Sequence, residues 1–481
     1  MPCAQGTAKM RRGAISGTAL WAIIAVVVIV IVVGGVAAYY ATRPPPPKPT
    51  PTSTHAVVGQ ITLGVATDLT GAYGALGEQI LWGTELAANQ INSHGGIYLA
   101  DGPNGPGNYT INVVWTDDET NPSVGPEALL QLYTTYHPAA VIGAIMTPVV
   151  DAELPVIQQY NIVYFSQAAQ TLTLTVSQNF TPLTSHSTIF HDEDSAYYFG
   201  WLTVEFLLNY KDQISPGGPL KVGAVTYSNN PVFMQEEMGG IDAAIKYYGA
   251  QNEIQIVDVE SVPTPASTTL QPTLTKFAQE NVNVIITGLT PPSATALAQQ
   301  AVDFPQLKGV TTIFWTPEDD PSWYATLGPS ANYLNMFVFS NFPSMSNVSV
   351  QSIDNEWQYY RNAYLAYTGK PLSGVGSFGI DSAYIAAAGL QLAGSANSSA
   401  LTSALESLKV SQIPWPLANV YTPFQPGDTI FGTVSSGAFW HSTNQTIVFM
   451  QVHYNPSTQS VYTQVVWPSP YATAQPTWPS P

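Results

Sequence analysis

The stretch Ile61–Ile97, ITLGVATDLTGAYGALGEQILWGTELAANQINSHGGI, decides how the rest of the chain is read. Ile61, Leu63 and Val65 alternate with polar or small neighbours, the two-residue period of a strand. A loop with Gly71, Gly74 and Gly77 follows. It leads into a helix whose Ile80, Leu81, Ala87 and Ile91 share one side, ended by His94-Gly95-Gly96, where glycine supplies the left-handed stop. Strand, glycine loop and helix make half of a βαβ unit. In open α/β sheets the loop at the carboxyl end of such a strand is where small ligands bind.

Outward from this unit the rhythm repeats. Strands are expected at Tyr109–Trp115, Ala139–Ile145, Ile162–Phe165, Val222–Thr226, Glu253–Val259, Val282–Thr287 and Thr312–Trp315. Helices are expected at Pro126–Tyr136, Val149–Tyr160, Ser195–Leu208, Met234–Tyr248 and Ala294–Val302, with a break around Thr171–Ser187. Alternating strands and helices predict parallel sheets covered by helices. At 481 residues the chain exceeds one compact core, so two lobes and extra segments are expected. With 13 basic against 31 acidic residues and a net charge of −18, no basic stripe is available for phosphate backbones, which excludes nucleic acid. Charged residues make up only 9 %, which suits a secreted surface and an acidic medium. The sole cysteine, Cys3, leaves the body without disulfides or thiol chemistry. Five sequons, at Asn108, Asn179, Asn347, Asn397 and Asn444, are candidates for glycosylation.

The wording of the opening stretch resembles the branched-chain amino acid-type (leucine-binding-protein-like) solute-binding proteins that serve ABC importers. Gly64-Val65, Leu69-Thr70-Gly71, Tyr73-Gly74, Gly83, Ala87-Ala88, Ile91-Asn92 and Gly95-Gly96-Ile97 all fit that family's opening. The resemblance implies an α/β, type I periplasmic-binding-protein fold: two Rossmann-like lobes with parallel sheets, joined by a three-crossing hinge. By resemblance, residues 58–190 with 340–440 form lobe one and 191–339 with 441–468 form lobe two. Residues 469–481 are left as a flexible tail.

The amino-terminal end reads as a membrane anchor. Residues 1–18 form a basic n-region with Lys9, Arg11 and Arg12. Residues 19–41 are long and apolar enough for a transmembrane or signal-anchor helix. Residues 42–57 form a Pro/Thr-rich stalk of polyproline type. Arg12-Gly13-Ala14 looks like the prepilin-type signals of some archaeal solute-binding proteins, cut before the apolar segment, so an archaeal source is expected. A secretory cleavage beyond the apolar run is the other route. The expected location is the cell membrane, with a single-pass anchor and the body outside.

A two-lobed clamp holds its solute with loop-end hydroxyls, backbone N–H groups and a few charges. Thr147 follows a buried strand and precedes a helix amino terminus, favourable ground for a carboxylate, with helix capping as the plain alternative. The resemblance places Ser166, Ala169 and Gln170 in a second ligand loop and Tyr73 beside the ligand side chain. It also matches Glu318 to a carboxylate that pairs with a ligand amine, although Glu318-Asp319-Asp320 also reads as an acidic turn. Tyr227 and Thr290 end lobe-two strands, and Phe378 is expected to wall the pocket. Pro148 and Gln170 depart from the family pattern, so an amino acid, an amide or a peptide all stay open as solute.

Catalysis finds little footing. Gly374-Val-Gly-Ser377-Phe-Gly379 approaches a nucleophile elbow but is off register. The His residues lack metal-ligand spacing, and His191-Asp192-Glu193-Asp194 reads as a helix start or hinge before it reads as a cation site. Gly369-Lys370 lacks the upstream glycine of a P-loop, so ATP hydrolysis belongs to partner permease and ATPase subunits. No enzyme activity, cofactor or metal is expected. The alternative function is a ligand-sensing receptor ectodomain acting through a separate membrane partner.

Overall fold

The computed structural model describes residues 56–478, apart from 72, 170, 178–180, 194, 229–231, 264–268, 290, 316–322, 324–325, 341–350, 373, 419–428, 434–439 and 444. The anchor, residues 42–55 of the stalk, Gln170, Thr290, Glu318, Asn179, Asn347 and Asn444 therefore lie outside the described residues, while Val57, expected in the stalk, opens the first strand. Among the described residues no helix is long and apolar enough to cross a membrane.

The first strand, β1 (Val57–Thr67), begins exposed and ends fully buried. Its second half is covered on both faces, as a central strand of an α/β sheet must be. The first helix, α1 (Gly74–Ser93), buries Ile80, Leu81, Ala87 and Ile91. It stops where Gly95 and Gly96 take φ of 93° and 79°, with Gly96 N–H closing on the Ile91 carbonyl. Next come β2 (Ile97–Leu99), β3 (Gly107–Asp117), α2 (Gly125–Tyr136), β4 (Ala140–Ile142), α3 (Thr147–Tyr160), β5 (Tyr164–Ser166) and β6 (Ile189–His191). These six strands form one sheet in the order β2-β3-β1-β4-β5-β6. The order reverses direction at β1, which pairs in parallel with β3 on one side and β4 on the other.

Beyond β6 the chain forms α4 (Ala196–Asn209), β7 (Leu220–Tyr227), α5 (Met238–Tyr248), β8 (Ile254–Val262), α6 (Gln271–Gln279), β9 (Val284–Thr287), α7 (Pro291–Gln300), β10 (Thr311–Phe314) and β11 (Asn335–Ser340). Three helices, α8 (Gln351–Thr368), α9 (Gly374–Ala393) and α10 (Ser398–Ser407), precede the closing strands β12 (Val448–Asn455) and β13 (Ser460–Trp467). The second sheet runs β13-β12-β11-β10-β9-β7-β8. Each sheet carries an apolar cluster on both faces. In lobe one Leu129, Leu132, Val149 and Ile157 cover one face, and Ile80, Ile91, Ile380 and Leu390 cover the other.

The sheets are mixed, which corrects the expectation of parallel sheets. β2 runs antiparallel to β3, β11 to β12, and β12 to β13. The links between β2 and β3 and between β12 and β13 are far shorter than the dozen or more residues that a parallel crossover needs. The tail also departs from expectation. Trp478 sits 5.3 Å from the Tyr210 ring and 5.6 Å from Phe337, and Thr477 N–H donates to Gln451 Oε1 at 2.8 Å. An apolar indole and a buried amide hold it against lobe two as far as Trp478.

The Gly374–Gly379 segment opens α9 and is a packing motif. A Cβ on Gly379 would lie 2.2 Å from the Ile80 carbonyl oxygen, and one on Gly83 would lie 2.2 Å from that of Gly376. Only glycine lets α1 and α9 approach so closely. Ser377 is wholly buried, its hydroxyl donating to the Gly374 carbonyl at 2.5 Å, so it is not presented as a nucleophile.

Candidate functional site

The five parallel strands of lobe one, β1 and β3 to β6, point their carboxyl ends to one edge, and the loops leaving that edge carry the polar groups. Asp117, at the end of β3, organises the loop after β1. Its Oδ1 accepts N–H bonds from Leu69 at 2.9 Å, Thr70 at 3.1 Å and Glu119 at 2.9 Å, and its Oδ2 accepts the Thr70 hydroxyl at 2.7 Å. Burial pushes this carboxyl up, but the hydrogen bonds from Thr70, Glu119 and Leu69 outweigh it and hold the pKa below its ordinary value. Tyr73 follows in the same loop, half-buried, its N–H donating to Thr120 Oγ1 at 3.3 Å.

Beneath these loops lies a group of buried acids. Asp68, Asp118 and Glu153 are all 0 % exposed. Asp68 Oδ2 accepts the Ile145 N–H at 3.2 Å, tying the β1 loop to the β4 loop. Tyr164 donates its hydroxyl to Glu153 Oε2 at 2.6 Å and accepts the Ala144 N–H at 3.0 Å. Burial raises all three carboxyl pKa values. Asp118, with the charge of neighbouring Asp68 added, is pushed up to about 7, and Glu153 to about 8. The charge of Asp68 disfavours ionisation of Asp118 beside it.

Thr147 opens α3 at this edge and is half-buried. The preceding Met146 makes no side-chain cap, and the first turn holds no acidic residue. The helix therefore leaves its positive end uncompensated by its own side chains. Tyr73 and Thr147 thus belong to adjacent loops, since β1 and β4 pair directly.

Other expected contacts are placed differently. Ser166, Ala169 and Phe378 are 0 % exposed. Ser166 donates its hydroxyl to the Ala169 carbonyl at 3.3 Å, and the Ala169 methyl joins the apolar cluster beneath α2 and α3. Tyr227 is buried, its hydroxyl donating to Ser293 at 2.8 Å within lobe two. All four are buried in the structure. Asn108 corrects the sequon reading: it lies in β3 and is 2 % exposed, out of reach of a glycan in the folded chain. Asn397 is exposed and caps α10, its Oδ1 accepting the N–H groups of Ser399 and Ala400.

Of the residues that join the lobes, the sequence singles out His191 and Asp192, read there as a helix start or hinge, and not Glu236. Glu236, in the turn entering α5, reaches the loop after β5 and accepts the Thr171 hydroxyl at 2.5 Å and the Leu172 N–H at 2.7 Å. At the hinge His191 N–H donates to the His441 carbonyl and Thr443 N–H to the His191 carbonyl. His441 is stacked between Phe190 and Trp440 at 4.2 and 4.0 Å. Asp192 continues the crossing, its Oδ2 accepting the Ser382 hydroxyl at 2.5 Å. Among the described residues no group of His, Cys, Asp and Glu is arranged to hold a metal ion. Thr67-Asp68 and Thr116-Asp117-Asp118 at two strand ends were the available sequence signals for the acid group. Nothing local marks Glu153 or Glu236.

Two α/β lobes with their polar loops on the strand carboxyl ends define a solute-binding clamp. The chain belongs to the periplasmic binding protein family, whose model matches residues 60–458. That family consists of solute-binding proteins. Among solved structures, the chain is similar to the branched-chain amino acid transporter substrate-binding protein LivJ of Streptococcus pneumoniae in complex with isoleucine. There the identity is 18 %, the TM-score 0.61, and the match covers 85 % of this chain and 100 % of that one. It is similar to an ABC transporter solute-binding protein of R. palustris in complex with benzoate, at 16 % identity and TM-score 0.57, covering 84 % and 95 %. A fatty acid ABC transporter substrate-binding protein of Thermomonospora curvata matches at 17 % identity and TM-score 0.59, covering 87 % and 96 %. At these identities the likeness establishes the fold. No curated protein matches the chain.

Proposed function

We propose that the chain captures a small carboxylate-bearing solute between its two lobes and delivers it to the permease and ATPase of an ABC importer. An amino acid or a related amide or peptide is the class of solute that the site residues favour. The observation that carries this reading is the uncapped start of α3 at Met146-Thr147, on the sheet edge that faces the other lobe's loops. A helix amino terminus, with its positive dipole end and a neighbouring hydroxyl, suits a carboxylate. Isoleucine, benzoate and fatty acids, the ligands named for three structural neighbours, share that group and differ in the rest. Protonation of Asp118 and Glu153 keeps like charge low beneath the site. Tyr73 would border the solute's body, and Glu318 is the proposed partner for an amine where the solute has one.

A thermal-shift screen against amino acids, short amides, peptides, aromatic acids and fatty acids tests this. A carboxylate should raise the melting temperature, and Thr147→Val should weaken its binding by roughly 10-fold, one lost charge-assisted hydrogen bond. Failure of every class to stabilise the protein would remove the transport reading, whereas an unchanged Kd in Thr147→Val would remove only Thr147.

The apolar run at residues 19–41 would hold the protein in the membrane with its body outside, on the stalk of residues 42–57. The mass of the mature amino terminus tests this. A start at Met1 or Ala14 retains the anchor, and a start beyond residue 41 refutes it.

A further inference from the structure

At the opposite edge of the lobe-one sheet, where its strands begin, lies a cavity of about 290 Å³. Gln60 and Thr62 of β1, Tyr133, Tyr136 and His137 from the end of α2, and Asn161 after α3 line it. That volume is near the small end of ligand pockets. Among the described residues lining it there is no Lys, Arg, Asp or Glu.

Two helices end at this cavity. α2 closes on His137 with φ of 45°, and α3 closes on Asn161 with φ of 50°, both left-handed caps. Each helix end carries roughly half a negative charge on its last carbonyls. Neither helix has a basic residue in its last turn to offset it. At the end of α3 the Tyr133 hydroxyl donates to the Tyr160 carbonyl at 3.4 Å and the Ser398 hydroxyl to that of Asn161, so the cavity's aromatic side chains approach the helix ends. Tyr133 packs on Tyr160 at 5.3 Å and edge-on to His137 at 6.0 Å, and Tyr136 is 52 % exposed.

Negative helix ends and electron-rich ring faces both attract a cation. The same two features disfavour an anion, and the net charge of −18 draws cations toward the surface. A strongly hydrated metal ion would find no carboxylate ligand here, whereas an alkylammonium group needs none. We propose that this cavity binds a small alkylammonium cation, at a site separate from the solute cleft. Thr62, Gln60 and Asn161 offer oxygen acceptors for whatever polar group the cation carries.

Choline and its uncharged isostere 3,3-dimethyl-1-butanol, titrated into the full chain at about pH 8 where free imidazole is neutral, test the assignment. Choline should bind with a Kd on the order of 1 mM and shift the amide resonances of Tyr136, His137 and Asn161, while the isostere should not. Tyr136→Leu should weaken choline roughly 5-fold, and Tyr136→Phe, which keeps a ring face, should not. Gln60→Lys, which places a tethered ammonium at the exposed start of β1, should abolish binding. All three variants, at two positions, are made without touching the acid group or the lobe contact, and equal melting temperatures confirm folding. Equal binding of choline and the isostere overturns the assignment. So does the absence of a saturable shift at tens of millimolar choline, or unchanged binding in both Tyr136→Leu and Gln60→Lys.

Discussion

The melting temperature of the chain is expected to be highest near pH 4–5 and to fall by about 10 °C toward pH 9. The cause is the buried acid group under the ligand-facing edge of lobe one. In the unfolded chain Asp118 and Glu153 ionise near pH 4, as free carboxyls do. In the folded chain burial holds their protons until about pH 7 and about pH 8. Between those limits the folded state binds more protons than the unfolded state, so stability declines as pH rises through the window and levels off above it. Below pH 4 both states are protonated and the contribution is complete.

Burial also raises Asp68, Asp151, Glu236 and Glu237, which add in the same direction. Two histidines oppose them. Burial lowers His191 to about 4 and depresses His453 as well, so each costs stability as pH falls through the ordinary imidazole range. Asp118 and Glu153 set against His191 leave a net gain in acid on the order of 5 kcal/mol. Asp117, whose pKa is lowered, adds stability above its unfolded value that is lost at still lower pH, which sets the acid limit. Glu153→Gln keeps an oxygen for the Tyr164 hydroxyl and removes one titration. It should melt higher than the parent at pH 9 and equally at pH 4. A melting temperature that peaks at pH 7–8, with Glu153→Gln destabilised throughout, would sink this account.

Replacing Glu236 with alanine is expected to shift the chain from the bridged arrangement of its lobes toward an open one. The Glu236 carboxylate accepts the Thr171 hydroxyl and the Leu172 N–H across the two sheets, from a half-buried position on the turn before α5. Two hydrogen bonds to a shielded charged acceptor are worth about 2 kcal/mol, a change of roughly 30-fold in the ratio of closed to open forms. The same factor limits the loss in solute affinity, because a ligand that needs the closed form binds in proportion to its population. Small-angle scattering and a label-to-label distance between the lobes read the shift without any ligand. Glu236→Gln, which keeps one acceptor oxygen, should fall between the parent and the alanine variant. Identical scattering and distances in all three proteins would show that Glu236 caps a turn and does not hold the lobes.

Much of lobe one was legible because its signals are local. Ile61–Ile97 carries its strand, glycine loop and helix within one continuous stretch, and β1 and α1 form where periodicity places them. β2, β6 and β11 were not singled out, since segments of three to six residues are too short for their pattern to distinguish a strand from any other buried segment. The segment Gly374–Gly379 read as a weak catalytic motif because glycine spacing alone does not say what approaches it. The tertiary structure supplies the answer, the backbone of α1. Thr147 was legible for a physical reason: a hydroxyl at a strand-to-helix junction sits on the carboxyl edge wherever the sheet is parallel. Tyr227 and Ser166 also end strands, yet their hydroxyls bond to Ser293 and to Ala169, partners that sequence spacing does not reveal.

The sequence by itself determined the fold class and the family, because hydrophobic period, glycine punctuation and the run of motif residues are properties of consecutive positions. Only the tertiary structure decided which carboxyls are buried together, which residue of one lobe reaches the other, and where two helix ends meet over a cavity. Asp68, Asp118 and Glu153 are distant in the chain and acquire their proton affinity from shared burial. Glu236 and Thr171 meet only because the segments that follow β7 and β5, strands of different sheets, come together in the fold.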